Sequence, residues 1–271
     1  MAEQLLKHFS IEVEQILHEK KTSQGSLTVY QTAPFGMMLT LNDQVILTEN
    51  DSFYYHEMMA HPALFTHPKP LKVAILGHQA GILQEILKHT GVQEIQCVHD
   101  NPDIDAAISR YFSSYSSKQV DARIKYFLMD TSTWLAQGSE HTFDIIIQAD
   151  SSFLISEENF KNYFRLLTAD GIFVQPCLNA LLHFKTLKPL YLNIQQAGFN
   201  DWQLLNFPQP SYPTGFRTVV MATKQPAFKR IREKDIFNRP FTTSYYNFDV
   251  HQAALVLPEF MREALVLPSS Q

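Results

Sequence analysis

The chain has 271 residues, 45% of them apolar and 18% charged, and 22 Lys and Arg against 27 Asp and Glu give a net charge of −5. That balance excludes a disordered polar chain, and the mild acidity argues against a nucleic-acid partner, whose phosphates select a basic surface. No apolar run reaches the about 18 to 20 residues needed to span a bilayer, and acids interrupt the N-terminal MAEQLLKHFSIEVEQ, so neither a membrane segment nor a signal core is expected. Cys97 and Cys177 both sit in apolar runs, which predicts buried free thiols in a reducing, cytoplasmic compartment. The length suits one large domain, or one with a smaller companion.

The first predicted elements are strands. Ser26 to Gln31 alternates polar and apolar residues, and Met37 to Leu41 follows the turn-like Ala33-Pro34-Phe35-Gly36. Asn42-Asp43 predicts a tight turn into Val45 to Thr48. Short runs joined by Gly, Pro, Asn and Asp suggest a small antiparallel sheet. Residues 51–66 (DSFYYHEMMAHPALFT) read as helix, and His67-Pro68-Lys69-Pro70 as a linker, because its prolines disfavour helix on both sides. The chain therefore divides into residues 1–66 and residues 71–271.

Beyond the linker the rhythm is strand, then helix. Lys72 to Leu76 (KVAIL), Ile95 to Val98, Ile124 to Met129, Phe143 to Ile147 (FDIII), Gly171 to Val174 and Phe216 to Thr223 read as strands. Helices are predicted over 82–89, from the N-cap Asn101-Pro102-Asp103, from Ser156 to near Leu167, and over 181–197. Repeated β-α-β units make an α/β fold with a parallel sheet covered on both faces. Ligands of such sheets bind beyond the carboxyl ends of the strands. Attention therefore falls on Gly77 to Gly81, His99 to Asn101, Asp130 and Gln148 to Ser152. The 11 histidines form no HExxH and no metal-ligand spacing with the cysteines, and neither a GxSxG elbow nor a Walker loop is present, so no metal is expected.

Several fragments resemble the spermidine synthase family of polyamine aminopropyltransferases. Thr48-Glu49-Asn50-Asp51-Ser52-Phe53-Tyr54-Tyr55-His56-Glu57-Met58 is similar to the family's TERDEFxYHEM segment, and Ser211-Tyr212-Pro213-Thr214-Gly215 to its TYPSG loop. Tyr245-Tyr246-Asn247, Val250-His251-Gln252-Ala253-Ala254 and Leu257-Pro258-Glu259-Phe260 resemble its C-terminal signature. The resemblance implies a small N-terminal antiparallel β-domain followed by a methyltransferase-like Rossmann domain with a mostly parallel sheet. It implies transfer of the aminopropyl group of decarboxylated S-adenosylmethionine to putrescine, giving spermidine and methylthioadenosine. It implies no cofactor beyond that co-substrate, and a homodimer or tetramer formed through the N-terminal β-domain.

The central motifs depart from the family pattern. The GGGDGG loop appears as Gly77-His78-Gln79-Ala80-Gly81, shorter and without its Asp. The family's ribose-binding Glu falls at His99, with Asp100 beside it, while the Asp of its GDG motif is Asp130. The family Gln that touches the donor falls at Gly25, one position from Gln24. After FDIII the family has D-S/T-x-D-P-x-G-P; here Gln148-Ala149-Asp150-Ser151-Ser152 keeps Asp150 as its one carboxylate.

The implied reaction needs a base, because a primary amine with a pKa of about 10.4 arrives protonated and cannot attack carbon. Asp150 is the expected base, against a plain helix cap. Tyr55, His56, Tyr212 and Ser151 are the expected acceptor contacts; for Tyr55, Tyr212 and His56 the alternative is packing. Gly77, Gln79, Gly81, His99, Asp100, Asp130 and Gln24 are the expected donor contacts; for Asp130 the alternative is an N-cap. Two other readings stand beside the enzyme. One is a non-catalytic relative that binds a nucleoside, a polyamine or a protein partner. The other, weaker, is a methyltransferase on the same fold.

Overall fold

Four strands, β1 (Val13–Thr22), β2 (Gly25–Thr32), β3 (Gly36–Leu41) and β4 (Gln44–Thr48), form an antiparallel meander in that order. In this computed structural model, residues 10–78, 80–115, 121–149, 157–177 and 183–265 are described. Asn42 and Asp43 both take positive φ, the left-handed geometry of the tight turn predicted there. Strand β1 was not foreseen. It is an edge strand with no buried residue, so it carries no apolar alternation to read.

The predicted helix over 51–66 is α1 (Ser52–Thr66), and 13 of its 15 residues are buried. A helix apolar or buried on every side belongs inside a core. Helix α1 packs on the larger sheet, together with Tyr246 and Ala254 from the C-terminal region.

That larger sheet has seven strands in the order β10-β11-β9-β8-β5-β6-β7. Strands β5 (Lys72–Leu76), β6 (Glu94–His99), β7 (Ile124–Leu128), β8 (Phe143–Gln148) and β9 (Leu167–Pro176) run parallel. Strands β10 (Asp201–Pro208) and β11 (Phe216–Thr223) add an antiparallel edge. The central strands are buried along nearly their whole length, which is why KVAIL and FDIII read as unbroken apolar runs. Strand β10 was missed because its buried leucines, Leu204 and Leu205, are adjacent rather than alternating.

The crossovers are α2 (Ala80–Leu87), α3 (Pro102–Tyr111), α4 (Thr131–Gln137), α5 (Glu157–Leu166) and α6 (Leu187–Gln196). Asn101 caps α3 as expected, its side chain accepting from the backbone N–H of Asp103 and Ile104. Of the predicted helix over 181–197, the described part is helical from His183, with a 3-10 turn at Phe184–Thr186 leading into α6, and Pro189 falls within the first turn of α6, where it is tolerated. Residues 178–182 lie outside the described part. The short helices α7 (Glu233–Phe237), α8 (Phe248–Ala254) and α9 (Glu259–Leu265) hold too few turns to show a period in sequence. Phe143, Phe160, Tyr163 and Met261 fill the opposite face of the sheet, while Leu27, Val29, Leu39 and Leu47 of the small sheet pack on Ile104, Ile108 and Phe112. Cys97 and Cys177 are free and buried, and burial pushes both thiols up to about 12.

A buried carboxylate ties this core together. Glu57 of α1 is 2% exposed and accepts backbone N–H groups from Ser244, Tyr245 and Tyr246 at 2.7, 2.9 and 2.7 Å. Three donors converging on one carboxylate compensate its desolvation. Beside it, His61 bridges His89 and Glu85, each at 2.9 Å, and the Tyr246 hydroxyl meets His251 Nδ1 at 2.9 Å.

Two predictions come from these buried groups. Glu57→Gln turns an amide N–H₂ toward a backbone donor, so it costs about 2–3 kcal/mol; a shifted urea midpoint with unchanged slope would register it. Burial lowers His56 and His251 to about 4, so both are neutral in the folded chain. The unfolded chain takes up their protons first, near pH 6.5. Stability is therefore complete above pH 6.5 and falls toward pH 4, by up to about 1.4 kcal/mol per pH unit for each histidine. Equal urea midpoints at pH 7 and pH 5 would contradict this.

Candidate active site

The sheet order places β5 between β8 and β6, so successive crossovers leave it in opposite directions and open a crevice at the strand ends. A cavity of about 700 Å³ occupies that crevice. The carboxyl ends of β5, β6, β7 and β8 form its floor, through Gly77, Asp100, Asp130 and Ala149. Leu41, Asn42 and Gln44 to Leu47, around the β3–β4 turn, close it from the small sheet. Tyr55 and His56 enter from α1, and Arg217 from β11. The cavity thus runs from Tyr55 past Ala149 to Asp130.

On the β5–β6 side the predicted donor contacts come together. Gly77 takes φ of 91°, which a side chain would resist, and its N–H bonds the carbonyl of Val98 at 2.9 Å. This turns the backbone across the cavity floor. Gln24, from the β1–β2 turn, donates to Asp100 Oδ1 at 2.7 Å and accepts from Asn101 Nδ2 at 2.9 Å. One carboxamide therefore bridges the small sheet to the end of β6. His99 stands where the resemblance places a ribose-binding Glu. Its Nε2 lies 2.9 Å from Asp105 Oδ2, and its Nδ1 is buried with no partner among the described residues. Asp130 takes the N-cap position that was its alternative reading, at the edge of the cavity. It caps α4 by accepting from the N–H and hydroxyl of Thr133, at 2.9 and 2.5 Å, and it lines the cavity. Those bonds hold its carboxyl below the usual carboxylate range, so it is ionised at neutral pH.

Gly81 has a different surrounding. It lies in α2 outside the cavity lining, and a Cβ there would fall 1.9 Å from His56 Nδ1. The missing side chain makes room for the His56 ring, which also meets Tyr115 edge-on at 5.2 Å.

On the other side the Tyr55 hydroxyl donates to the carbonyl of Ala149, which pins the end of β8 to α1. Tyr212 sits in a loop shaped by its own turns: its N–H bonds Gln209 O, and Gly215 N–H bonds its carbonyl. Buried Asp51 anchors that loop to α1, accepting from Ser211 N–H at 2.6 Å and from the Thr48 hydroxyl. Between the two tyrosines lies Arg217, which the sequence analysis passed over. Its guanidinium carbon is 4.8 Å from the Tyr55 ring centre and 3.8 Å from that of Tyr212. The one charged residue in the strand that follows the Tyr212–Gly215 turn was the available signal. Glu57 and Asp51 were also missed as anchors, although both lie within the matched α1 motif. Gln79, Asp150 and Ser151 lie outside the described residues.

Residues 52–233 match the family model described as "Spermine/spermidine synthase domain", and residues 6–49 match "Spermidine synthase tetramerisation domain". The chain is 35% identical over 265 residues to the polyamine aminopropyltransferase of Alkalilimnicola ehrlichii, covering 95% of this chain and 93% of that one. It is 34% identical over 262 residues to that of Halorhodospira halophila, covering 94% of each. A crystal structure of spermidine synthase in complex with the transition state analogue AdoDATO superposes with a TM-score of 0.87 at 25% identity, over 94% of this chain and 88% of that one. Spermidine synthase from Thermotoga maritima shares the fold, with a TM-score of 0.86. With its small antiparallel sheet, its mostly parallel Rossmann-like sheet and these relatives, the chain belongs to the spermine/spermidine synthase family and is a transferase of the polyamine aminopropyltransferase type.

Proposed function

We propose that this enzyme moves the aminopropyl group of decarboxylated S-adenosylmethionine to a small aliphatic amine, with putrescine the acceptor that the family resemblance implies. The observation that carries the proposal is the single cavity joining Tyr55, Ala149, Asp100 and Asp130. Asp100 accepts from the donor's ribose hydroxyls, and His99 flanks them. Asp130 accepts from the exocyclic amine of adenine. Gln24 keeps Asp100 in position. Gly77 lets the backbone approach the nucleoside, Gln79 offers a neutral contact in place of the family's Asp, and Gly81 acts indirectly by seating His56.

At the reacting end, Asp150 follows directly on Ala149, whose carbonyl is tied to Tyr55. Its carboxylate takes the proton of the incoming ammonium, with Ser151 beside it. The freed nitrogen lone pair attacks the methylene next to sulfur. The C–N bond forms, the C–S bond breaks, and its electron pair returns to sulfur, which leaves as neutral methylthioadenosine. Holding nitrogen, carbon and sulfur in line supplies the rest of the acceleration. His56, kept neutral by burial, adds no positive charge beside a cationic donor.

We also infer assembly through the small sheet, whose edge strand β1 exposes Val13 and Ile16. Among the described residues no helix is long and apolar enough to cross a membrane, and a cytoplasmic location is our reading.

Asp150→Asn should lower the rate of methylthioadenosine release by about 100-fold or more, the usual worth of a positioned base; an equally fast variant removes Asp150 from the role. Asp100→Ala should raise the donor KM several-fold with a smaller change in kcat, and an unchanged KM would detach that carboxylate from the donor. Ile16→Lys should shift the protein toward monomer in sedimentation; the same mass as the parent would remove β1 from the interface.

A further inference from the structure

A second cavity, of about 360 Å³, lies at the amino ends of the strands of the large sheet. Leu71 and Val92, just ahead of β5 and β6, line it, whereas the candidate active site opens at the carboxyl ends. The two cavities share no lining residue. Phe65 at the end of α1, Pro68 and Pro70 of the linker, and Phe241 form apolar walls. Burial above all, then the charges of His61, Arg232 and Lys88, lowers His89 to about 2, so its ring is neutral and adds to those walls.

The charged groups around these walls do not balance. Lys69, Lys88, Arg232 and Arg239 line the cavity against one acid, Asp235, in a chain whose net charge is −5. Two of the cations are paired: Arg232 with Asp235, and Lys88 with Glu85 at 2.6 Å. Arg232 also closes the end of α1, donating to the carbonyls of Leu64 and His67 at 2.7 and 3.1 Å, which gives it a structural role. Lys69 and Arg239 have no carboxylate partner among the described residues. The Arg239 guanidinium is held by the Ile236 carbonyl and the Thr243 hydroxyl, at 2.6 and 2.8 Å, and its Nε–H is buried without an acceptor. Neutral acceptors leave its charge uncompensated, and burial limits screening by water.

Two uncompensated positive charges match one phosphate monoester, which carries about −1.5 to −2 at neutral pH. A carboxylate would offset only one of them. The apolar walls suit the body of an organic molecule. We propose that this cavity is a binding site for an organic phosphate, a phosphomonoester carried on a small apolar body, separate from the transfer site. Lys69 and Arg239 supply the charge, and Phe65, Phe241 and the prolines receive the body.

The test is calorimetric titration of the intact enzyme with phenyl phosphate, inorganic phosphate and benzyl alcohol. Phenyl phosphate is expected to bind with a Kd of about 1 mM or tighter. Inorganic phosphate, which lacks the ring, should bind about tenfold more weakly. Benzyl alcohol, which has the ring without the charge, should bind no better than inorganic phosphate. Lys69→Glu, at an exposed position, should weaken phenyl phosphate about tenfold, and Arg239→Gln by a similar factor. The comparison of ligands on the parent needs no variant, so a poorly folding Arg239→Gln leaves the test intact. No binding of phenyl phosphate by the parent overturns the inference, as does binding that Lys69→Glu leaves unchanged. Inorganic phosphate binding as tightly as phenyl phosphate overturns the assignment of an organic ligand. None of these results bears on aminopropyl transfer, which is read by methylthioadenosine release.

Discussion

A carboxylate buried in a helix must find donors, and the fold is organised around that requirement. Glu57 meets it by collecting three backbone N–H groups from residues 244–246, almost 190 positions away in the chain. The C-terminal segment therefore closes over α1 and completes the core with Tyr246 and Ala254. With α1 fixed, Tyr55 reaches the end of β8, His56 reaches α2, and Asp51 at the helix start reaches the Tyr212 loop. The walls of the cavity are thus set by contacts radiating from one buried helix.

The cavity differs from the family pattern in the charges it offers. On the donor side a histidine stands where a carboxylate is usual, and the neighbouring Asp100 is held by Gln24 from the other sheet. Asp100 is thereby tied to the β1–β2 turn. On the acceptor side a guanidinium occupies the gap between two tyrosines. Both changes lie on the lining of one cavity, built on the family's scaffold.

Much of this was legible in the sequence because the signals were local. KVAIL and FDIII lie at the sheet centre and read as such; Asn101-Pro102-Asp103 and Asn42-Asp43 carried their cap and turn chemistry. Cavity residues Tyr55, His56, Gly77, His99, Asp100, Asp130 and Gln24 followed from strand ends and matched motifs. What escaped depends on distance in the chain. The Gln24 bridge spans 76 residues to Asp100, and the Asp51 anchor spans 160 to Ser211. Edge strand β1 holds no fully buried residue, so it had no period. Arg217 was passed over because its place between Tyr55 and Tyr212 is set by tertiary contacts.

The central claim is that this altered cavity still takes the adenosyl donor. A crystal structure of the enzyme with methylthioadenosine tests it most directly. The account predicts the nucleoside lying across the ends of β5 to β7, its ribose hydroxyls against Asp100 and its adenine beside Asp130, with the thioether pointing toward Tyr55. Methylthioadenosine bound elsewhere, or absent at saturating concentration while the cavity stays open, would contradict it.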